Sequence, residues 1–288
     1  MDDVIFVKTR HIYQSYTDFW DLVELSRFPT VYTDEVDIQK QVVYILCPMN
    51  GEWKPRIDFQ RGIGKERKAK LIQWNVERPG GSGTLDHYCT DNQSLIDAGY
   101  FDEIWVSDRE LAKICKFSYA ILGGNELFAK QYHTNITDKT FDLIHLSYGS
   151  PRRSFLFDAP GICKKFIAGC SIAPNSWGIA RHNYLQASKY MLNIHQDEYP
   201  YIEPLRFVIA AMYKLPIITE FCLDSYPYDV IDIGRLVQGG VQRQQFFMSL
   251  EVASKYTEKN GNYDTLRNSN YRRMTEEYTF RKAVEAIL

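Results

Sequence analysis

The chain has 288 residues, 45% hydrophobic and 24% charged, with a formal net charge of −2. That length accommodates one large α/β domain or two of roughly 100–150 residues, and the near-neutral charge excludes a global electrostatic footprint for nucleic acid or an anionic membrane. No stretch approaches about 18 continuous apolar residues, so no membrane span is expected. The acidic N-terminus MDDVIFVK is too short in its apolar run for a signal peptide, and the expected location is cytoplasmic. Six cysteines (Cys47, Cys89, Cys115, Cys163, Cys170 and Cys222) show no CxxC pair or Cys/His ligand spacing. They read as free thiols in a reducing compartment. Aromatic residues make up 14% of the chain, with tyrosine the commonest at 20, which fits a Tyr-rich core and also a site that stacks on planar rings or sugars.

In chain order, Val4–Val7 reads as a strand and the segment from Ile12 to Leu25 has helical spacing of its apolar residues. Val42–Leu46 is a buried strand that ends in the turn-rich loop Cys47-Pro-Met-Asn-Gly-Glu-Trp53. Arg56–Lys70 is strongly basic and reads either as a solvated face or as a surface for a phosphate-bearing acceptor. Leu71–Trp74 is the next strand, followed by the glycine-rich loop Asn75–Gly83, whose spacing is not a dinucleotide fingerprint. A helix over Asn92–Ala98, a strand over Glu103–Val106, and a helix Arg109–Cys115 capped by Asp108 follow. Tyr119–Leu122 is a strand ending in Gly123-Gly124-Asn125.

The polar Lys130–Lys139 segment marks a domain boundary. The pattern then restarts with strand Leu143–Leu146, loop Ser147–Ser150, helix Arg152–Phe157, a weak strand near Ile172 and loop Pro174–Gly178. Helix Ile179–Ser188 leads to strand Tyr190–Ile194. Pro200 bars a helix in the polar loop after it, and Glu203-Pro204 opens a helix with proline at its first position. That helix ends near Lys214, and Leu215–Thr219 is a second buried strand. Val230–Leu236 is a short helix or strand, and Gln242–Tyr256 and Tyr263–Ile287 are helices. The alternation of strands and helices predicts an α/β fold of two Rossmann-like domains facing across a cleft, with a long C-terminal helix. The expected divisions are an acceptor-binding domain over 1–135, a nucleotide-sugar-binding domain over 136–262, and a helix over 263–288 that packs back on the first domain.

Polar residues follow the predicted strands in a regular way. In a parallel sheet they converge at its carboxyl edge, where helix N-termini and arginines hold anionic ligands. In the second half these are Tyr148, Arg152 and Arg153, then Trp177 and Arg181, then His195 and Gln196, then Glu203 and Arg206. Glu203 reads as a partner for ribose hydroxyls, and Tyr148, Trp177 and Tyr201 as stacking surfaces. In the first half the corresponding residues are Asn50 and Trp53, then Asn75, Glu77 and Arg78. Glu77 is the best carboxylate for orienting or deprotonating an acceptor hydroxyl, although an Asn-x-Glu-Arg loop is equally a turn with an internal salt bridge.

The region IEPLRFVIAAMYKLPIITE resembles the donor-binding helix and following strand of GT-B glycosyltransferases. Leu215-Pro216-Ile217-Ile218 matches the start of that strand, and Ala210-Ala211-Met212 matches the small helical residues. Lys214 stands where the family has glycine. The family's spaced pair of glutamates is absent, with Ile202 and Ile209 where they would lie and Glu203 one position later. The resemblance implies metal-independent transfer of a sugar from a nucleotide sugar, most simply a UDP-sugar, to an acceptor hydroxyl. It also implies Arg152, Arg153 or Arg181 on the diphosphate, no cofactor, and retention of the anomeric configuration as in the loosely similar group-1 members; the catalytic candidates, read from their positions after strands, are His195 and Glu77. Compact GT-B enzymes include phage enzymes that glycosylate hydroxymethylated pyrimidines in DNA, so DNA bound through Arg56–Lys70 is an alternative acceptor. A non-catalytic nucleotide-sugar binding protein and a GT-B-fold epimerase are the readings from other classes.

Overall fold

The computed structural model describes residues 3–10, 16–47, 53–76, 85–132, 138–146, 153, 166–168, 178–195, 199–234, 255 and 257–288. The chain divides into two compact units. One comprises residues 1–122 with 203–205 and 283–288, the other residues 123–202 with 206–282.

In the first unit, strands β1 (Val4–Lys8), β2 (Thr30–Tyr32), β3 (Val43–Leu46), β4 (Lys70–Asn75), β5 (Glu103–Val106) and β6 (Ser118–Tyr119) form one sheet in the spatial order β2-β1-β3-β4-β5-β6. Every pairing is parallel, with Phe6 opposite Ile45, Ile45 opposite Ile72 and Trp74 opposite Trp105. Helices α1 (Thr17–Leu25), α2 (Lys54–Gly62), α3 (Leu85–Asp97) and α4 (Arg109–Cys115) connect them. Strands covered on both faces read as continuous apolar runs, and VYIL of β3 is one. The core is aromatic: Trp74 meets Phe19 edge-on at 5.9 Å and Trp105 at 5.7 Å.

In the second unit, α5 (Phe128–Gln131), β7 (Phe141–His145), β8 (Phe166–Ala168), α6 (Ile179–Ala187), β9 (Ser188–Asn193), α7 (Pro204–Met212), β10 (Ile217–Thr219) and β11 (Val230–Asp232) follow in turn. Their strands lie parallel in the order β11-β10-β9-β7-β8. The second sheet therefore has the doubly wound 2-1-3-4-5 order, and the first has the same order extended by a sixth strand. The winding reverses between the first and third strands, and in open α/β sheets the carboxyl side of that reversal is where ligands bind. Leu143, Tyr190, Leu192, Ile194 and Ile218 form the core of this sheet.

Apart from Arg206 in its first turn, helix α7 is apolar on every side, and Phe207 through Met212 are all buried, as such a helix requires. Lys214, just past its end, has φ 52, the left-handed region that glycine occupies without strain. Its backbone N–H donates to Ala211 O and its ammonium lies over the Tyr271 ring at 4.3 Å. That conformation accounts for the glycine expected at this position.

Several expectations change in detail. Helix α3 begins seven residues before the expected start, and β2 and α5 are additional short elements. Val230–Asp232 is a strand. The C-terminal segment is helical in three pieces: α8 (Asn262–Arg272), a π-turn over Arg273–Glu277, and α9 (Phe280–Glu285). The strand placed near Ile172 and the helix over Gln242–Tyr256 fall outside the described residues, apart from residue 255, and the helix over Arg152–Phe157 is described only at Arg153. Cysteine pairing is a correction: Cys89 and Cys115 are joined in a disulfide with Cα atoms 5.0 Å apart. They lie 26 residues apart on different helices, a spacing with no motif to reveal it. Among the described residues no helix is long and apolar enough to cross a membrane.

Candidate functional site

The carboxyl end of β9 lies beside the β7/β9 reversal, and three consecutive residues there engage polar side chains. Asn193, fully buried, accepts a hydrogen bond through its side-chain oxygen from the Arg206 guanidinium, which stands in the first turn of α7. Its amide nitrogen donates to Thr219 Oγ1 at 3.0 Å, at the end of β10. The Ile194 carbonyl accepts from Arg153 Nε at 2.9 Å and Nη2 at 2.6 Å. The His195 backbone N–H donates to the carboxylate of Glu220 at 2.8 Å, and Glu220 is fully buried.

The imidazole of His195 is itself 3% exposed, with Nε2 3.0 Å from Phe221 O. A carbonyl only accepts, so Nε2 carries the proton. Cys222 Sγ lies 3.8 Å from the same nitrogen and 3.4 Å from Glu220 O. At the end of β7, His145 Nδ1 donates to Leu192 O at 2.9 Å. Two arginines, two histidines and a glutamate are thus gathered at one sheet edge. Burying that many charged and polar side chains is costly unless each is hydrogen-bonded, and the strand-end atoms supply those bonds.

The sheet of the first unit has its own polar carboxyl edge. Asn75 ends β4, and its Nδ2 donates to Asn92 Oδ1 at 3.1 Å. Gln73 Nε2 reaches Asn75 Oδ1 at 2.8 Å and Asn92 Oδ1 at 2.9 Å. Asp108 caps α4 by accepting from the Leu111 N–H at 2.8 Å. Burial pushes the Tyr88 phenol up; the Asn75 side chain opposes the shift and the Asp108 charge adds to it.

Of the residues expected from sequence, Arg153, His195 and Arg206 come together at the end of β9. Arg181 is buried in the first turn of α6. Glu203 is half-buried immediately before Pro204, within the short segment that groups with the first unit. Trp53 immediately precedes α2. It is 5% exposed and packs edge-on against Tyr100 at 5.2 Å and Phe101 at 4.7 Å, a core anchor for the start of α2. Asn75 is 9% exposed, and both atoms of its amide are engaged internally. Asn50, Glu77, Arg78, Tyr148, Arg152, Trp177 and Gln196 lie outside the described residues. Asn193, Thr219, Glu220 and His145 were not expected.

The basic Arg56–Lys70 run is largely engaged within the first unit. Arg56 donates to Val36 O at 3.0 Å, and Arg61 to Gly99 O. Lys65 pairs with Asp37 at 3.4 Å, Arg67 with Asp102 at 2.6 Å, and Lys70 with Glu103 at 2.6 Å. Lys70 and Glu103 are the first residues of β4 and β5, so this end of the run lies at the amino edge of the sheet, away from the carboxyl edge.

No family model matches the sequence, and no curated protein matches it. Among solved structures, an α1,3-fucosyltransferase crystal structure is 12% identical, with a TM-score of 0.45 over 98% of this chain and 88% of that one. An α-glucosyltransferase in complex with UDP and a 13-mer DNA containing a central A:G mismatch is 7% identical, with a TM-score of 0.54 over 99% of this chain and 98% of that one. Along nearly its whole length, the chain shares the α/β fold, with parallel sheets, of that glucosyltransferase structure, the GT-B type that the Leu215–Ile218 region resembles.

Proposed function

We propose that the chain is a glycosyltransferase that binds a nucleotide sugar, a UDP-sugar by preference, at the carboxyl edge of the second sheet. There it transfers the sugar to an acceptor hydroxyl without a metal and with retention of configuration. The observation that supports this is the run Asn193-Ile194-His195, which holds Arg206, Arg153 and the Glu220 carboxylate beside the reversal of strand order. Guanidinium groups fixed before the reaction stabilise a departing diphosphate at little reorganisation cost. Arg181 and, on its sequence position alone, Arg152 are assigned to the same diphosphate and Glu203 to the ribose. Tyr148 and Trp177 are assigned to the base and Gln196 to a polar contact with the donor, likewise on sequence position. His195, with its proton on Nε2, is the group of this edge able to move a proton. Asn75, at the carboxyl edge of the first sheet, serves the acceptor; Asn50, Glu77 and Arg78 are assigned to it on their sequence positions alone, with Glu77 orienting or deprotonating its hydroxyl.

A DNA acceptor is the second reading, favoured by the glucosyltransferase whose structure contains both UDP and DNA. The engaged cations of Arg56–Lys70 argue that any DNA contact is made elsewhere on the surface.

The test is a thermal-shift screen with UDP-, GDP-, ADP- and TDP-sugars, followed by mass analysis of the products with and without sugar and hydroxymethylated-DNA acceptors. A transferase releases nucleoside diphosphate faster when its acceptor is present. A binding protein protects the donor, and an epimerase yields a new isomer with no acceptor. Absence of stabilisation by every nucleotide sugar would refute the reading.

A further inference from the structure

Helix α3 is held to the first sheet in an uncommon way. Of its 13 residues only Asn92 is fully buried, and the stripe that faces the sheet, Leu85, Tyr88, Cys89, Leu95 and Ile96, is only half-buried, whereas a helix packed on a sheet normally buries an apolar stripe. Its attachments include the Asn92 amide, bonded to Gln73 and Asn75, the Leu95 carbonyl, which accepts from the Tyr100 N–H, and the Cys89–Cys115 bond to the last residue of α4. Among the described residues the remaining cysteines, Cys47 and Cys222, are thiols outside any disulfide, and burial pushes the Cys47 thiol well up. One staple between two helices among the described residues, in company with thiols, is unlike the dense framework of a disulfide-stabilised domain. We propose that Cys89–Cys115 is a site of reversible thiol–disulfide exchange, and that its reduction by a dithiol releases α3 from the sheet.

Access sets the order of events. Cys89 is partly exposed, whereas Cys115 is 8% exposed, so an incoming thiolate attacks Cys89 Sγ. That step forms a mixed disulfide and expels the Cys115 thiolate, which takes up a proton. The second thiol of the reductant then displaces Cys89 as a thiol and closes the reagent's own disulfide. Two electrons and two protons pass to the protein in all. With the staple open, the covalent hold on α3 is gone and its half-buried apolar residues, its amide contacts and its backbone bonds to the Tyr100 turn are left to resist its release. Once α3 leaves the sheet, the Asn92 side chain no longer fixes Asn75 at the carboxyl end of β4.

The test uses the full chain purified without reductant. Intact mass after alkylation in denaturant, with and without prior dithiothreitol, counts the bonded sulfurs, and amide hydrogen exchange follows residues 85–97 and β9. The expected result is two additional alkylated sulfurs after reduction, and exchange in residues 85–97 faster by at least about tenfold, with β9 unchanged. Cys89→Ser should show the fast pattern and no response to dithiothreitol. The reduced wild-type chain supplies the same comparison should that variant fold poorly. Complete alkylation without reductant overturns the proposal, as does unchanged exchange in α3. Equal acceleration in β9 also overturns it, because the bond would then brace the whole fold rather than one helix.

Discussion

Asn193 is the hinge of the polar edge because both ends of its amide are committed, the oxygen to Arg206 and the nitrogen to Thr219. Arg206 is 9% exposed, so removing this acceptor takes a hydrogen bond from a buried positive charge. Leaving a buried donor unmet costs about 1–3 kcal/mol, and more when it is charged. Asn193→Leu, similar in size, should therefore lower stability by about 3 kcal/mol in urea denaturation. Asn193→Asp keeps an acceptor for Arg206 and loses only the donation to Thr219, so its loss should be the smaller of the two. Equal losses would show that volume rather than the guanidinium bond sets the cost. The same residue shows what the chain's order of amino acids conceals. Arg153, His195 and Arg206 were legible because they follow strands or open a helix. Asn193, Thr219 and Glu220 lie within or at the end of buried apolar runs, where they read as strand. Their partners come from the neighbouring strand and helix, and a parallel register is not written in local periodicity.

At the scale of elements, long apolar runs were readable and short pieces fixed by tertiary pairing were not. Strand β5 and helix α4 have the expected bounds, the latter because Asp108 supplies a side-chain cap. The three residues of β2 are held by pairing to β1, a contact with no local signature. The C-terminal segment carries no proline or glycine to stop a helix near Tyr278, yet it breaks there. The break is tertiary: Gly124 donates its N–H to Tyr278 O at 3.1 Å and accepts from the Phe280 N–H at 2.7 Å. These bonds draw residues 278–280 out of the helical ladder. Gly123 makes the approach feasible, since a Cβ there would lie 2.5 Å from Tyr278 O, 2.6 Å from Thr279 C and 2.7 Å from Phe280 N, all backbone atoms. Gly123→Ala should thus cost about 1–3 kcal/mol by overpacking and speed amide exchange at Phe280. Gly62→Ala, where a Cβ meets nothing within 4 Å, should leave stability unchanged or raise it by up to about 1 kcal/mol. A similar response at the two glycines would contradict the close-approach argument.

At the scale of the molecule, the question is where a net charge of −2 leaves positive surface for an anionic acceptor. The one dense run of cations visible in the sequence was a natural candidate for DNA phosphates. Sequence alone could not show that Asp37, Asp102, Glu103 and the carbonyls of Val36 and Gly99 take up most of it. Those bonds join α2 and the stretch before β4 to the segment before β3 and to the start of β5 with the turn before it, and they matter more to the fold than to a partner. Partly exposed ion pairs contribute little one at a time, but Arg67 also holds the Gly99 carbonyl at 3.1 Å, and Asp102 accepts the Leu71 N–H at 2.7 Å. The double variant Arg67→Ala with Lys70→Ala should therefore lower stability by about 1–2 kcal/mol. Phosphate contacts release counterions, and each one lost changes the slope of log affinity against log salt by close to one. Cations already committed to carboxylates at the amino edge release none. Titration of the double variant with a hydroxymethylated DNA duplex at several salt concentrations should give the wild-type slope. A slope shallower by about two would place the DNA on this run after all, and would move the acceptor surface to the edge of the first sheet opposite Asn75.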